Sequence, residues 1–85
     1  PWNVNNGLVV GNSGTGELTI GNGGKVSSSG GQMYIGNNSG STGTVTVDGA
    51  GSNLTNANYL YVGNNGAGEL SISNGGQVTV VAVVS

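Results

Sequence analysis

The chain has 85 residues, of which 49 are Gly, Asn, Ser or Thr; it carries one Lys, no Arg, three acidic residues and a formal charge of −2. A single cation cannot neutralise a run of phosphates or anchor the chain to an anionic surface, so neither nucleic-acid binding nor a basic membrane patch is expected. With no Cys and no His there is no disulfide, no zinc site of the usual ligands and no imidazole for acid–base work, and no cofactor, metal or enzymatic activity is expected.

Read from the N-terminus, the apolar residues come in pairs two apart. Trp2 and Val4 are the first pair, followed by Leu8 and Val10, Leu18 and Ile20, then Val26 with Ser28. The series continues with Met33 and Ile35, Val45 and Val47, Leu54 with Asn56, Leu60 and Val62, Leu70 and Ile72, and Val78 and Val80. Spacing two puts both members of a pair on one face of a strand. No window shows the three-four spacing of an amphipathic helix, and no run approaches the roughly 18 apolar residues of a membrane span. Gly11-Asn12, Gly36-Asn37, Gly63-Asn64, Asn22-Gly23-Gly24 and Asn74-Gly75-Gly76 separate the pairs. Gly and Asn accept positive φ at little cost and mark tight corners. Strands of about three to five residues, with a corner after each, are expected.

The pairs repeat at long range. Leu8 to Val26 returns without a gap as Leu60 to Val78, and Met33 to Leu54 is a blurred third copy. Leu8, Met33 and Leu60 form one column, Leu18, Val45 and Leu70 a second, and Trp2, Val26, Leu54 and Val78 a third. Residues that recur one copy later at the same place in the pattern define a coil. The expected fold is all-β: a right-handed parallel β-helix, or β-solenoid, with about three turns of 24–28 residues and three short strands and sheets per turn. One segment, 1–85, holds turns 8–32, 33–59 and 60–85, with 1–7 ending a preceding turn. An antiparallel meander joined by Asn-Gly hairpins is the alternative, but it does not explain why identity recurs at 25 to 27 residues rather than at 8 to 12.

Three and a third turns occupy some 15 Å of axis at ~4.8 Å per turn. Neither end shows a capping helix, and uncapped strand edges recruit other chains. The opening Pro1-Trp2 reads as a processed product or a piece of a longer chain. Either flanking turns cover the ends, or copies stack end to end. Trp2 and Val4 at one end, and Val78, Val80, Val81, Val83 and Val84 at the other, are the candidate stacking residues. The tail Val78–Ser85 lacks a Gly-Asn corner and has two apolar faces. It packs over the open end or adds to a neighbour's edge, or else it begins a further turn.

The string LYVGNNGAGELSISNGGQV, preceded by VDGAGSNL, resembles the glycine-patterned repeat of type V secretion autotransporter passengers and of some PEP-CTERM-associated surface proteins. Leu60, Val62, Gly63, Gly66, Gly68, Leu70, Ile72, Asn74, Gly75, Gly76 and Val78 match that repeat, and Gly49, Gly51 and Ser52 match its G-x-G-S element. Leu54 stands where the family has Trp, and Trp2 fills the equivalent place 52 residues earlier. The tail departs from the pattern, and the chain contains no β-barrel translocator. The resemblance implies an exported or surface solenoid of bacteria that serves in adhesion, aggregation or biofilm matrix.

Among candidate sites, Tyr34 and Tyr61 sit between inward partners and point out at the same place in successive turns, with Tyr59 beside them. Such a stripe can contact surface glycans or another fibre, or stack across turns to stabilise the sheet. Glu17, Thr44 and Glu69 form one outward column and Thr19, Thr46 and Ser71 the next. Two carboxylates about 10 Å apart in one column, with no basic partner, do not make a glycosidase site. A Thr column one residue wide makes a poor ice-binding face. The single Asp48 cannot supply repeated calcium motifs. Asn12, Asn37 and Asn64 are placed to stack as an amide ladder. Asn37-Asn38-Ser39 and Asn53-Leu54-Thr55 match the glycosylation triplet. The expectation is an extracellular or cell-surface structural and adhesive module, not inserted in a membrane, whose partners are copies of itself or flanking turns. A carbohydrate-binding module using the tyrosine stripe is the alternative.

Overall fold

A computed structural model describes residues 2–84; Pro1 and Ser85, the outermost residues of the segment read as one solenoid, lie outside the described residues. The strands are β1 (Trp2–Val4), β2 (Leu8–Val10), β3 (Thr15–Ile20), β4 (Lys25–Ser28), β5 (Met33–Ile35), β6 (Thr42–Asp48), β7 (Asn53–Val62), β8 (Ala67–Ser73) and β9 (Gln77–Val84). All pairings between them are parallel, and each joins a residue to its counterpart one turn on. Trp2 lies on Val26, Val26 on Leu54 and Leu54 on Val78. Leu8, Met33, Leu60 and Val83 stack in the same way, as do Leu18, Val45 and Leu70. The chain is therefore a β-solenoid of about three turns, and the antiparallel meander is overturned: its hairpins would pair neighbouring strands in opposite directions.

The period-two pattern explains the core. Val10, Ile20, Val26, Met33, Ile35, Val45, Val47, Leu54 and Leu60 point inward and are buried. A further inward column, in the sheet of β3, β6 and β8, holds no side chain at all. Gly16, Gly43 and Gly68 are in register, and the backbone of the Gly-Asn corner fills the space beside them. A Cβ at Gly43 would fall on the carbonyl oxygen of Val10 and 2.6 Å from the nitrogen of Gly36. The corner itself needs φ near +75° at Gly11, Gly36 and Gly63, which only glycine takes without strain. Its amides bond downward, Gly36 N–H to the Val10 carbonyl at 2.8 Å and Gly63 N–H to the Ile35 carbonyl at 2.7 Å.

The third corner departs from the expected pattern. In the first turn the chain breaks at Ser29–Gln32, but in the next two it runs on. β7 is ten residues long and β9 eight, with a register shift between Asn56 and Tyr59. The first and third columns therefore share one six-stranded sheet, while β3, β6 and β8 form a second of three strands, in place of three separate sheets. The reason is local: Asn56-Ala57-Asn58-Tyr59 has no glycine, and no residue from Ser52 to Val62 takes a positive φ. The buried Asn56 amide instead donates to the Tyr59 carbonyl at 2.9 Å and takes up the bend. The tail is also settled. Val83 lies on Leu60 and Val84 on Tyr61, so β9 closes the third turn and begins a fourth.

Candidate functional site

The two ends of the coil gather most of the residues marked as stacking candidates. At the N-terminal end β1, β2 and β3 each have a neighbour on one side only. There the unfinished turn leaves a hollow of about 210 Å³ lined by Trp2, Leu8, Val9, Val10, Gly11, Gly16, Glu17 and Leu18. Trp2 is 49% exposed and Val4 half-buried. At the other end β8 and β9 present their free edges. Val78 and Val80 are half-buried against the core, whereas Val81, Val83 and Val84 are 65%, 55% and 41% exposed. Ile72, not among the expected stacking residues, is 51% exposed at the same end. Its column partners Ile20 and Val47 each have a further turn above them, and Ile72, on the edge strand β8, has none among the described residues.

The tyrosines do what cross-turn stacking requires. Tyr34 lies on Tyr61, with ring centroids 5.0 Å apart and planes 21° from parallel. The Tyr34 hydroxyl donates to Gln32 Oε1 at 2.6 Å. Val9 pairs below Tyr34 and Val84 above Tyr61, which makes a continuous outward column. Tyr59 stands beside it, exposed.

On the neighbouring corner the asparagine ladder forms. Asn37 Nδ2 donates to Asn12 Oδ1 at 3.0 Å, and Asn64 Nδ2 donates to Asn37 Oδ1 at 2.9 Å. Each upper amide donates to the one below, so the ladder has a direction. It also commits the side chain of Asn37, the acceptor of the first glycosylation triplet. In the second triplet Leu54 is fully buried, and the Thr55 hydroxyl bonds the Asn53 amide oxygen at 3.4 Å.

The opposite corner rests on Ser52, whose role the sequence showed only as part of the G-x-G-S element. Ser52 Oγ donates to the Asp48 carbonyl at 2.7 Å and accepts from Gly23 N–H at 3.1 Å, tying two turns together while almost fully buried. Asp48 Oδ1 accepts from the Ser73 hydroxyl and from Asn74 Nδ2, both at 2.7 Å. These bonds, the Ser73 hydroxyl foremost, hold its carboxyl below the ordinary range. Glu17 and Glu69 stay two turns apart on either side of Thr44. Among the described residues no three or more His, Cys, Asp or Glu come together as metal ligands, and no helix is long and apolar enough to cross a membrane. No protein-family model matches the chain, and comparisons with curated proteins and with solved structures find no match.

Proposed function

We propose that the chain is a structural and adhesive repeat module of a bacterial secreted or surface protein. It works outside the cell by stacking along its own axis, on copies of itself to build a fibre or on flanking turns of a longer solenoid. One observation carries this reading. Met33, Ile35, Val45, Val47 and Leu54 in the middle turn are completely buried, while the same columns end in exposed Trp2, Ile72 and Val83 beside unpaired strand edges. Unpaired parallel edges over apolar side chains are satisfied by another turn of the same kind. The bacterial and extracellular setting rests on the glycine-patterned repeat resemblance. The glycan-binding alternative has less support. Sugar rings pack on an aromatic face, and Tyr34 and Tyr61 use theirs on each other.

Electron microscopy and fibre diffraction of the isolated chain at low micromolar concentration test the proposal. Long unbranched filaments one solenoid wide, with a meridional repeat near ~4.8 Å, are expected. Monodisperse monomers would remove the fibre form and leave the module dependent on flanking turns.

A further inference from the structure

Inside the coil one column changes from apolar to polar and back. Val4, Ser28, Asn56 and Val80 lie in register at one-turn steps. Ser28 and Asn56 are each 2% exposed. The valines flank the pair below and above, so it belongs to the interior and owes nothing to either open end. Ser28 Oγ donates to the Asn6 carbonyl at 3.3 Å, and Asn56 Nδ2 donates to the Tyr59 carbonyl at 2.9 Å. Asn56 Oδ1 has no hydrogen-bond partner among the described residues. Turning the amide over gives no relief. It would set Oδ1 against the Tyr59 carbonyl, two acceptors face to face, and leave the amide nitrogen unpartnered instead. A buried acceptor in this position is costly, and native interiors nearly always supply it with a donor.

We propose that Ser28 and Asn56 hold one internal water molecule, which donates to Asn56 Oδ1 and to Ser28 Oγ and completes the glycine-free bend of β7. This goes beyond the stacking reading and does not depend on it. The orphaned atom is an acceptor, so its ligand must donate a hydrogen. The three acidic residues, Glu17, Asp48 and Glu69, stand on β3, β6 and β8 in the other sheet. No carboxylate is therefore at hand to compensate a buried cation, whether metal or ammonium, and the ligand is neutral. The spacing fits water. Residues in register on neighbouring strands are about 4.8 Å apart, and a water making two bonds of about 2.8 Å spans about 4.5 Å between its partners at a tetrahedral angle. Ser28 is also the smallest residue of its column, which leaves room beneath the amide for a molecule of that size. The site explains the bend as well. The turn below takes this corner with Gly30-Gly31, whereas β7 turns on the Asn56 side chain, and the water satisfies the amide atom that the bend leaves over.

A high-resolution crystal structure and oxygen-17 relaxation dispersion test the site. The second method counts slowly exchanging waters and is blind to hydroxyl protons. The crystal structure is expected to show a water within hydrogen-bond distance of both Asn56 Oδ1 and Ser28 Oγ. Asn56→Leu and Ser28→Val each withdraw one partner, and the second also fills the space beneath the amide with the residue found at both ends of the column. Each variant is expected to lose one slowly exchanging water per chain relative to the unmodified protein, with its β signature in circular dichroism retained. The count is per chain, so it reads the same in monomers and in stacked chains, and failure of the stacking reading leaves it untouched. If one variant does not fold, the other carries the count, and the crystal structure decides without any substitution. A direct bond from the Ser28 hydroxyl to Asn56 Oδ1 in the crystal structure, or a count unchanged in the folded variants, would overturn the proposal.

Discussion

Ile20, Val47 and Ile72 occupy one column, are nearly the same side chain and sit in the same strand environment. Val47 is fully buried, Ile20 nearly so, and Ile72 half-exposed. The difference is position along the axis. In a solenoid a residue is buried by the turn above and the turn below, and in this column the C-terminal end is the open one: Ile20, on the edge strand β3, is 3% exposed, whereas Ile72, on the edge strand β8, is 51% exposed. Burial in this chain depends on which end a residue stands at as well as on the residue itself.

The largest expected effect breaks the middle while sparing an end. Gly43→Ala puts a methyl group onto backbone of its own turn and of the turn below, where nothing can move aside. The loss should exceed the about 1–3 kcal/mol of ordinary overpacking and abolish a cooperative urea transition. Gly16→Ala meets only the corner of its own turn and borders the open N-terminal hollow. It should fold with a lowered midpoint. Equal effects at the two sites would mean that the hollow offers no relief and that the end turn is as closed as the middle.

A smaller pair of changes measures the contrast directly. Leu60→Ala empties a fully buried site and should cost about 3 kcal/mol, within the usual range for such truncations. Leu70→Ala, half-buried in the last turn, should cost about half as much in the monomer, read as the shift in denaturant midpoint at unchanged slope. If chains stack, the gap should narrow under assembling conditions, because the next turn would then bury Leu70.

These contrasts also separate what the sequence shows from what it hides. The three apolar columns, their register and the amide ladder were legible, because period-two pairs and glycine corners recur at turn spacing and parallel pairing is the arrangement that uses that recurrence; the inward glycine column of Gly16, Gly43 and Gly68 was not, because a glycine carries no apolar mark. The run-on of β7 through Asn56 to Tyr59 was not. Three corners per turn followed from glycine punctuation, and a bend held by a buried amide on a carbonyl has no such mark. The tyrosine column was legible as a column but not in its use, since ring orientation depends on neighbours in other turns. Ser52 was visible only as a letter in a motif; its two bonds exist once the turns are stacked.

The smallest effect tests whether an end turn has any specific tie to the middle. Asp48, at the end of β6 in the middle turn, is gripped by Ser73 and Asn74 from the last turn. Its folded-state pKa is lowered, the Ser73 hydroxyl being the main cause. The folded form therefore holds the proton more weakly than the unfolded chain does. The contribution to stability is whole above the ordinary aspartate value near about 3.9, and it is lost as pH falls below that value and through the lowered folded one. A thermal-midpoint profile should thus drop on the acid side of about pH 4. Asp48→Asn should flatten that part of the drop, because the amide oxygen still accepts both bonds and no longer titrates. Ser73→Ala should also shrink it by removing the stronger of the two donors. A profile unchanged by either substitution would mean that the last turn is held to the middle by its backbone ladder alone, and the corner would then be packing without a polar latch.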